Sequence, residues 1–291
     1  MAAYHKPVMV REVMEILNVS REGTYVDATV GGGGHADVVL GALGPSGRLI
    51  AMDRDSEAIS AVKERLRDRR VCYVRENFSR MESAVKECGC GSVDGILMDL
   101  GLSMIQLRDM ERGFSFESDH LLDMRMDRSE GLSAWDVVNT FKEVELEKIL
   151  RQYGEEPRCR AIARAIGRSR QKKTIDNCRE LAGLVARIYG KYGRTHPATR
   201  TFQALRVYVN GEIDSLSAAL GASLGLLRTG GRLCVISYHS LEDRVAKHFF
   251  KDGAREGTLS ILTKKPMIPS PQEQRDNPSS RSAKLRGGFK L

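Results

Sequence analysis

Three carboxylates and a run of glycines stand where they could do chemistry together. Asp27 sits near the end of an apolar run, Thr24-Tyr25-Val26-Asp27-Ala28-Thr29, and four consecutive glycines, Gly31 to Gly34, follow. Asp53 closes a second apolar run, 22 residues after Gly31, and Asp99 closes a later one from Gly95. Glycine tolerates positive φ and lets the backbone approach a ligand closely. A helix starting there would offer free amides to that ligand. An acid ending the next strand can accept hydrogen bonds from ribose hydroxyls. Gly31, Gly33 and Ala36 also fit a dinucleotide fingerprint, but Asp27 would repel a pyrophosphate and could face an ammonium group. The set therefore favours S-adenosylmethionine over a nicotinamide cofactor. Each feature also has a bland reading: the glycines could form a tight turn, and any one acid could cap one.

The elements that must hold these residues alternate. Val10, Val13, Met14 and Leu17 are spaced for a short helix. Helices from about 35 to 43, about 56 to 66 and 79 to 87 separate strands at 24–29, 48–53, 71–75 and 95–99. Asp55 or Ser56 can cap the second of these helices. This order predicts an α/β fold, a Rossmann-like, mostly parallel sheet with helices on both faces. From about 107 to 200 the chain offers helices and no convincing strand. A long helix then carries Phe202, Leu205, Val209, Ile213, Leu216, Leu220 and Leu224 inward, ended by Thr229-Gly230-Gly231. Strands follow at 232–237, 259–263 and 283–290, with a helix capped by Ser240 and Asp243 after the first. The predicted domains are residues 1–106 with 201–291 for the cofactor, and an all-helical insertion at 107–200.

The chain has 291 residues, 41% of them hydrophobic, with no apolar run of the roughly 20 residues that cross a bilayer. Lys6, Arg11 and Glu12 argue against a secretory signal, so a cytoplasmic protein without membrane contact is expected. Net charge is +8 and the pI about 9.2, which favours polyanionic partners. The six cysteines, Cys72, Cys88, Cys90, Cys159, Cys178 and Cys234, are read as reduced thiols, and their spacing suggests no metal site.

Longer motifs are more specific. They include His5-Lys6-Pro7-Val8, Asp27-Ala28-Thr29-Val30 through His35, Met52-Asp53-Arg54-Asp55 and Met98-Asp99-Leu100-Gly101. Glu111 to Phe116, Leu122 to Asp127 and Tyr153-Gly154-Glu155-Glu156 follow. Then come His196 to Ala204, Ser237 to Arg244, Asn277-Pro278 and Arg281 to Arg286. In this order they closely resemble the ribosomal RNA small-subunit methyltransferase H family (RsmH, also called MraW), over nearly the whole chain. The resemblance implies S-adenosylmethionine-dependent methylation of the ring-position-4 amine of a cytosine in the decoding region of 16S ribosomal RNA. It implies cofactor contacts at Gly33, Gly34, His35, Asp53, Phe78, Asp99 and Gln106. The chain departs from the family at Ala36, where Ser or Thr is usual. It departs again at Leu102-Ser103-Met104-Ile105-Gln106-Leu107, where the usual run is Val-Ser-Ser-Pro-Gln-Leu.

Methyl transfer from a sulfonium needs alignment more than activation. The cytosine amine is the poor partner, and an acceptor for its hydrogen would help. Asp99, or a carbonyl near Leu100 and Gly101, is placed for that, and His239 is a second catalytic candidate or else a helix cap. Phe114, Phe116, Tyr238 and His239 are the aromatic candidates for stacking the base. Arg158 to Lys173 holds seven basic residues and no acid, with Arg160, Arg164 and Arg168 on one helical face. These, with His196 and Arg200, are the candidate RNA contacts, and Arg281, Lys284 and Arg286 extend the set. The small ribosomal subunit is the expected substrate particle, and a homodimer is left open. Competing readings are a methyltransferase for another RNA or amine, a nicotinamide-dependent oxidoreductase, and a non-catalytic RNA-binding protein.

Overall fold

A computed structural model describes residues 7–291 apart from Tyr192 and Arg194, and the backbone alone of Arg108. His5 and Lys6 of the opening motif lie outside the described residues. Two compact units emerge: residues 1–104 with 213–291, and residues 105–212. Among the described residues no helix is long and apolar enough to cross a membrane.

The first unit opens with α1 (Val10–Leu17), β1 (Thr24–Asp27), α2 (Gly34–Ala42), β2 (Arg48–Asp53), α3 (Ser56–Leu66) and β3 (Val71–Arg75). A 3-10 turn (Phe78–Arg80), α4 (Met81–Glu87) and β4 (Val93–Asp99) follow. Strand side chains alternate between faces, and both faces are buried. Val26, Ile50, Ile96 and Met98 pack on one side with Met81, Leu220 and Phe250. Tyr25, Leu49 and Leu97 pack on the other with Val13, Val39 and Ile59. Burial on both faces explains why these strands read as continuous apolar runs rather than alternating ones.

The second unit holds α5 (Met104–Arg108), α6 (Ala134–Thr140), α7 (Glu143–Gly154), α8 (Cys159–Arg170), α9 (Cys178–Tyr189) and α10 (Thr199–Asn210). The long helix expected from Phe202 onward is two helices. Gly211 takes φ +58° at the C-cap of α10, and α11 (Glu212–Leu226) starts afresh. Asn210 fixes α10 inside the helical unit: its Oδ1 accepts from the Met126 amide at 2.8 Å, and its Nδ2 donates to the Met124 carbonyl at 2.8 Å. Residues 201–212 thus fall with the helices, not with the sheet.

The sheet unit resumes with α11, β5 (Leu227–Ser237), α12 (Ser240–Glu256), β6 (Leu259–Ile261), α13 (Pro271–Asp276) and β7 (Lys284–Lys290). The strand order is β3-β2-β1-β4-β5-β7-β6, with β1 to β5 parallel and β7 antiparallel to both neighbours. The cap of α12 lies one residue earlier than expected. The His239 ring accepts from the Glu242 amide, and the Glu242 carboxylate accepts in return from the His239 amide. Cys72 and Cys88 are joined as a disulfide, which overturns the reading of all six cysteines as thiols. α4 runs back along the sheet after β3, so its C-cap, Cys88, returns beside Cys72 near the start of that strand. A spacing of 16 residues gives no sign of this in the sequence.

Candidate active site

The strand order reverses between β1 and β4, and in open α/β sheets the ligand crevice lies at the carboxyl ends of the strands there. Asp27 and Asp99 end those two strands, and Asp53 ends β2 beside them. Their charges act on one another: Asp99 and Asp53 both oppose ionisation of Asp27.

The glycine loop is built by contacts. The Gly33 amide donates to the Val30 carbonyl at 2.7 Å, and Gly33 takes φ +77° as the N-cap of α2. A side chain at Gly33 would meet Val62 of α3 at 3.1 Å, and one at Gly34 would meet Pro7 at 3.0 Å. At Gly32 it would meet nothing within 4 Å. Gly32 therefore marks where the loop faces open space. The first-turn amides of α2 lack intrahelical acceptors and can serve a ligand there.

Each acid is held differently. Asp53 accepts from the Gly31 amide at one oxygen and from the Asp55 amide at the other, both at 2.9 Å. Burial raises its carboxyl to about 6, against the pull of those two amides. Asp27 is 2% exposed. Burial raises it to about 7, while His35 and the Thr29 amide favour the ionised form. An ammonium or sulfonium beside these acids would favour ionisation of both.

Asp99 lies at the centre of a further network. Its amide donates to the Thr29 hydroxyl at 2.7 Å. The Tyr238 hydroxyl donates to Oδ1 at 2.8 Å, and His35 Nδ1 stands 3.4 Å from Oδ2. His35 Nε2 lies 2.8 Å from the Val8 carbonyl, which can only accept, so that nitrogen carries a proton. The His35 side chain thus faces Asp99 and Val8. Burial, and then the charge of Asp99, drives the Tyr238 hydroxyl far above its ordinary pKa, so it stays a donor.

The other expected residues are scattered. Phe78 opens the turn after β3, packed against the core, with Asn77 capping the turn. His239 is committed to the start of α12, its Nε2 3.1 Å from Glu242. Gln106 is buried on α5 of the helical unit. On α8, Cys159, Ile162, Ala163, Ile166 and Gly167 are buried, leaving Arg160, Arg164 and Arg168 exposed in one stripe. Arg200, near the start of α10, donates to the Glu155 carbonyl. His196 stacks on Phe116 at 4.4 Å, and Phe202 meets Phe116 edge-on. Phe114 is buried against Arg112. Sequence reasoning did not anticipate Tyr238 as the donor to Asp99. The signal was a hydroxyl-bearing aromatic directly after β5, the strand that pairs with β4.

A sheet of this order, with an acid-ringed glycine loop at its switch point, is that of the class I methyltransferases. A candidate rRNA methylase from Clostridium thermocellum shares the fold, with TM-score 0.50 and 14% identity over the whole of both chains. A family model, the MraW methylase family, matches residues 2–289, and the chain belongs to that family. A ribosomal RNA small subunit methyltransferase H from Caldicellulosiruptor bescii is 44% identical, covering 99% of each chain. Its namesake from Coprothermobacter proteolyticus is 46% identical over 97% of this chain and 94% of its own. The chain is accordingly a methyltransferase whose methyl donor is S-adenosylmethionine.

Proposed function

We propose that the protein methylates the N4 amine of a cytosine in the decoding region of 16S ribosomal RNA, within the small ribosomal subunit. The observation that carries this is the Asp99 carboxylate, held beside the glycine loop at the end of β4. The names of the relatives support ribosomal RNA as the substrate.

In this reading the amides of Gly33, Gly34 and His35 line the cofactor, Asp53 accepts from its ribose, and Asp27 faces its cationic end. Phe78, Asp99 and Gln106 complete the set by the family resemblance. S-adenosylmethionine held there would supply an electrophilic methyl group to the cytosine nitrogen, its sulfur keeping the electron pair of the broken carbon–sulfur bond. The proton lost from nitrogen passes to the Asp99 carboxylate. Asp99 thereby stabilises the charge that develops on the amine, which otherwise delocalises its lone pair into the ring. Asp99 is the catalytic residue of this reading; His239, committed to a helix cap, is not. The arginine stripe of α8, with Arg200 and His196, meets RNA phosphates and positions the particle.

The test is transfer of tritiated methyl to small subunits from a strain lacking the endogenous activity, followed by nucleoside mass spectrometry. Label in N4-methylated cytidine is the expected result. Label in another nucleoside would redirect the substrate assignment. No transfer to subunits or to extracted RNA would overturn it.

A further inference from the structure

Asp99 is approached from two sides by side chains whose elements are far apart in sequence. Oδ1 accepts from Tyr238, 139 residues away, and Oδ2 faces His35 of α2. Tyr238 is itself fixed. Its amide donates to the Glu242 carboxylate at 2.8 Å, so the first turn of α12 holds its backbone. Its ring lies against Gly101, which takes φ +100°, and a side chain at Gly101 would approach that ring to 3.3 Å. The backbone after β4 is thereby shaped to let the ring reach Asp99.

We propose that Tyr238 is a positioning residue for methyl transfer, setting the plane and charge of the Asp99 carboxylate that receives the amine proton. This rests on the Asp99 reading given above. A carboxylate offers about four acceptor directions. Pinning Oδ1 with a hydroxyl fixes the plane in which the carboxylate would meet the incoming amine. A hydrogen bond donated to a carboxylate favours its charged form. Tyr238 keeps its own proton throughout, and the bonds made and broken are those already given.

Among the described residues, the groups facing Asp99 include His35 from α2, Asp27 from β1, Cys234 from β5 and Tyr238 beyond it. Glu242 and Glu273 in turn face Tyr238. Of these, the Tyr238 hydroxyl alone is removed by Tyr238→Phe, which keeps the ring against Gly101.

The experiment compares the full-length wild type, Tyr238→Phe, Asp99→Asn and the double variant on small ribosomal subunits. The expected result for Tyr238→Phe is an affinity for S-adenosylhomocysteine, by calorimetry, within about twofold of wild type, which also reports an intact fold. KM for subunits should hold, and kcat should fall by roughly 10- to 100-fold, as for loss of one hydrogen bond to a charged group. The acid limb of the kcat–pH profile should move to higher pH, because Asp99 without its donor protonates more readily. In the double variant, loss of the hydroxyl should add nothing to Asp99→Asn. Unchanged kcat and an unmoved acid limb in Tyr238→Phe, with Asp99→Asn slowed, would overturn the role of Tyr238 alone. So would full multiplication of the two losses in the double variant. A fully active Asp99→Asn would overturn the Asp99 reading and this proposal with it.

Discussion

The Gly31 amide donates to Asp53 Oδ2 at 2.9 Å, tying the glycine loop to the acid at the end of β2. The loop and that acid are therefore one unit. A change at Asp53 acts on the shape of the loop as well as on the carboxylate.

For Asp53→Ala the expected outcome is loss of S-adenosylmethionine affinity by about 10- to 100-fold, the scale of hydrogen bonds to a charged acceptor. The buried strands remain, so far-UV circular dichroism should be unchanged. Calorimetric titration checks the first and thermal melting the second. An affinity equal to wild type would remove Asp53 from the site.

Asp27 sets a pH dependence. Burial favours its protonated form, so the folded chain retains a proton that the unfolded chain releases above about pH 4. Its contribution to stability is full below that pH and is lost as pH rises through about 7. At about 1.4 kcal/mol per pH unit, the loss at pH 8 is bounded by about 4 kcal/mol. Melting of the ligand-free protein from pH 5 to 8 should show this decline, and Asp27→Asn should flatten it. Cofactor affinity should rise over the same range, because the bound cation needs the ionised acid. An identical melting profile for Asp27→Asn would remove Asp27 as its source.

The α8 stripe predicts a salt effect. Reversing Arg160, Arg164 and Arg168 to Glu should weaken subunit binding and flatten the dependence of log affinity on log salt by about 2 to 3, if each arginine meets one phosphate. Cofactor affinity should stay as it was. Filter binding at several salt concentrations reads the slope, and an unchanged slope would place the RNA elsewhere.

The disulfide between Cys72 and Cys88 encloses the turn that carries Phe78. Closing a loop of about 15 residues stabilises by about 3 kcal/mol in the chain-entropy model. Reduction should lower Tm by about 5–10 °C in a unit of this size. Thiol titration of the denatured, unreduced protein should find Cys72 and Cys88 unreactive; full reactivity of both would exclude the bond.

Much of the sheet was legible because doubly buried strands leave unbroken apolar runs. β2 and β3 fall at the residues expected from such runs, and β1 and β4 within two residues at their ends. The break at Gly211 was not legible, because the apolar spacing from Phe202 to Leu224 continues across it. A left-handed glycine there changes the direction of the chain without changing its pattern. The three acids stood out at their strand ends, whereas the Tyr238 contact depends on which strand lies beside β4. That pairing is set by sheet order, and no spacing encodes it. His239 reads in the sequence as either cap or contact, and the Glu242 amide, donating to its ring, makes it a cap.

The helical unit interrupts the chain between two strands that lie side by side. Met98 of β4 pairs with Val235 of β5, so this part of the sheet closes over a very long stretch of chain. During synthesis β1 to β4 emerge first, and β4 waits as an open edge while residues 105–212 are made. Its Ile96-Leu97-Met98 run is the kind of edge that pairs with the wrong partner. Non-local closure of this sort is slow and exposes intermediates to aggregation. The crevice, which needs Tyr238 from beyond β5 to complete Asp99, is thus assembled only after nearly all of the protein has left the ribosome.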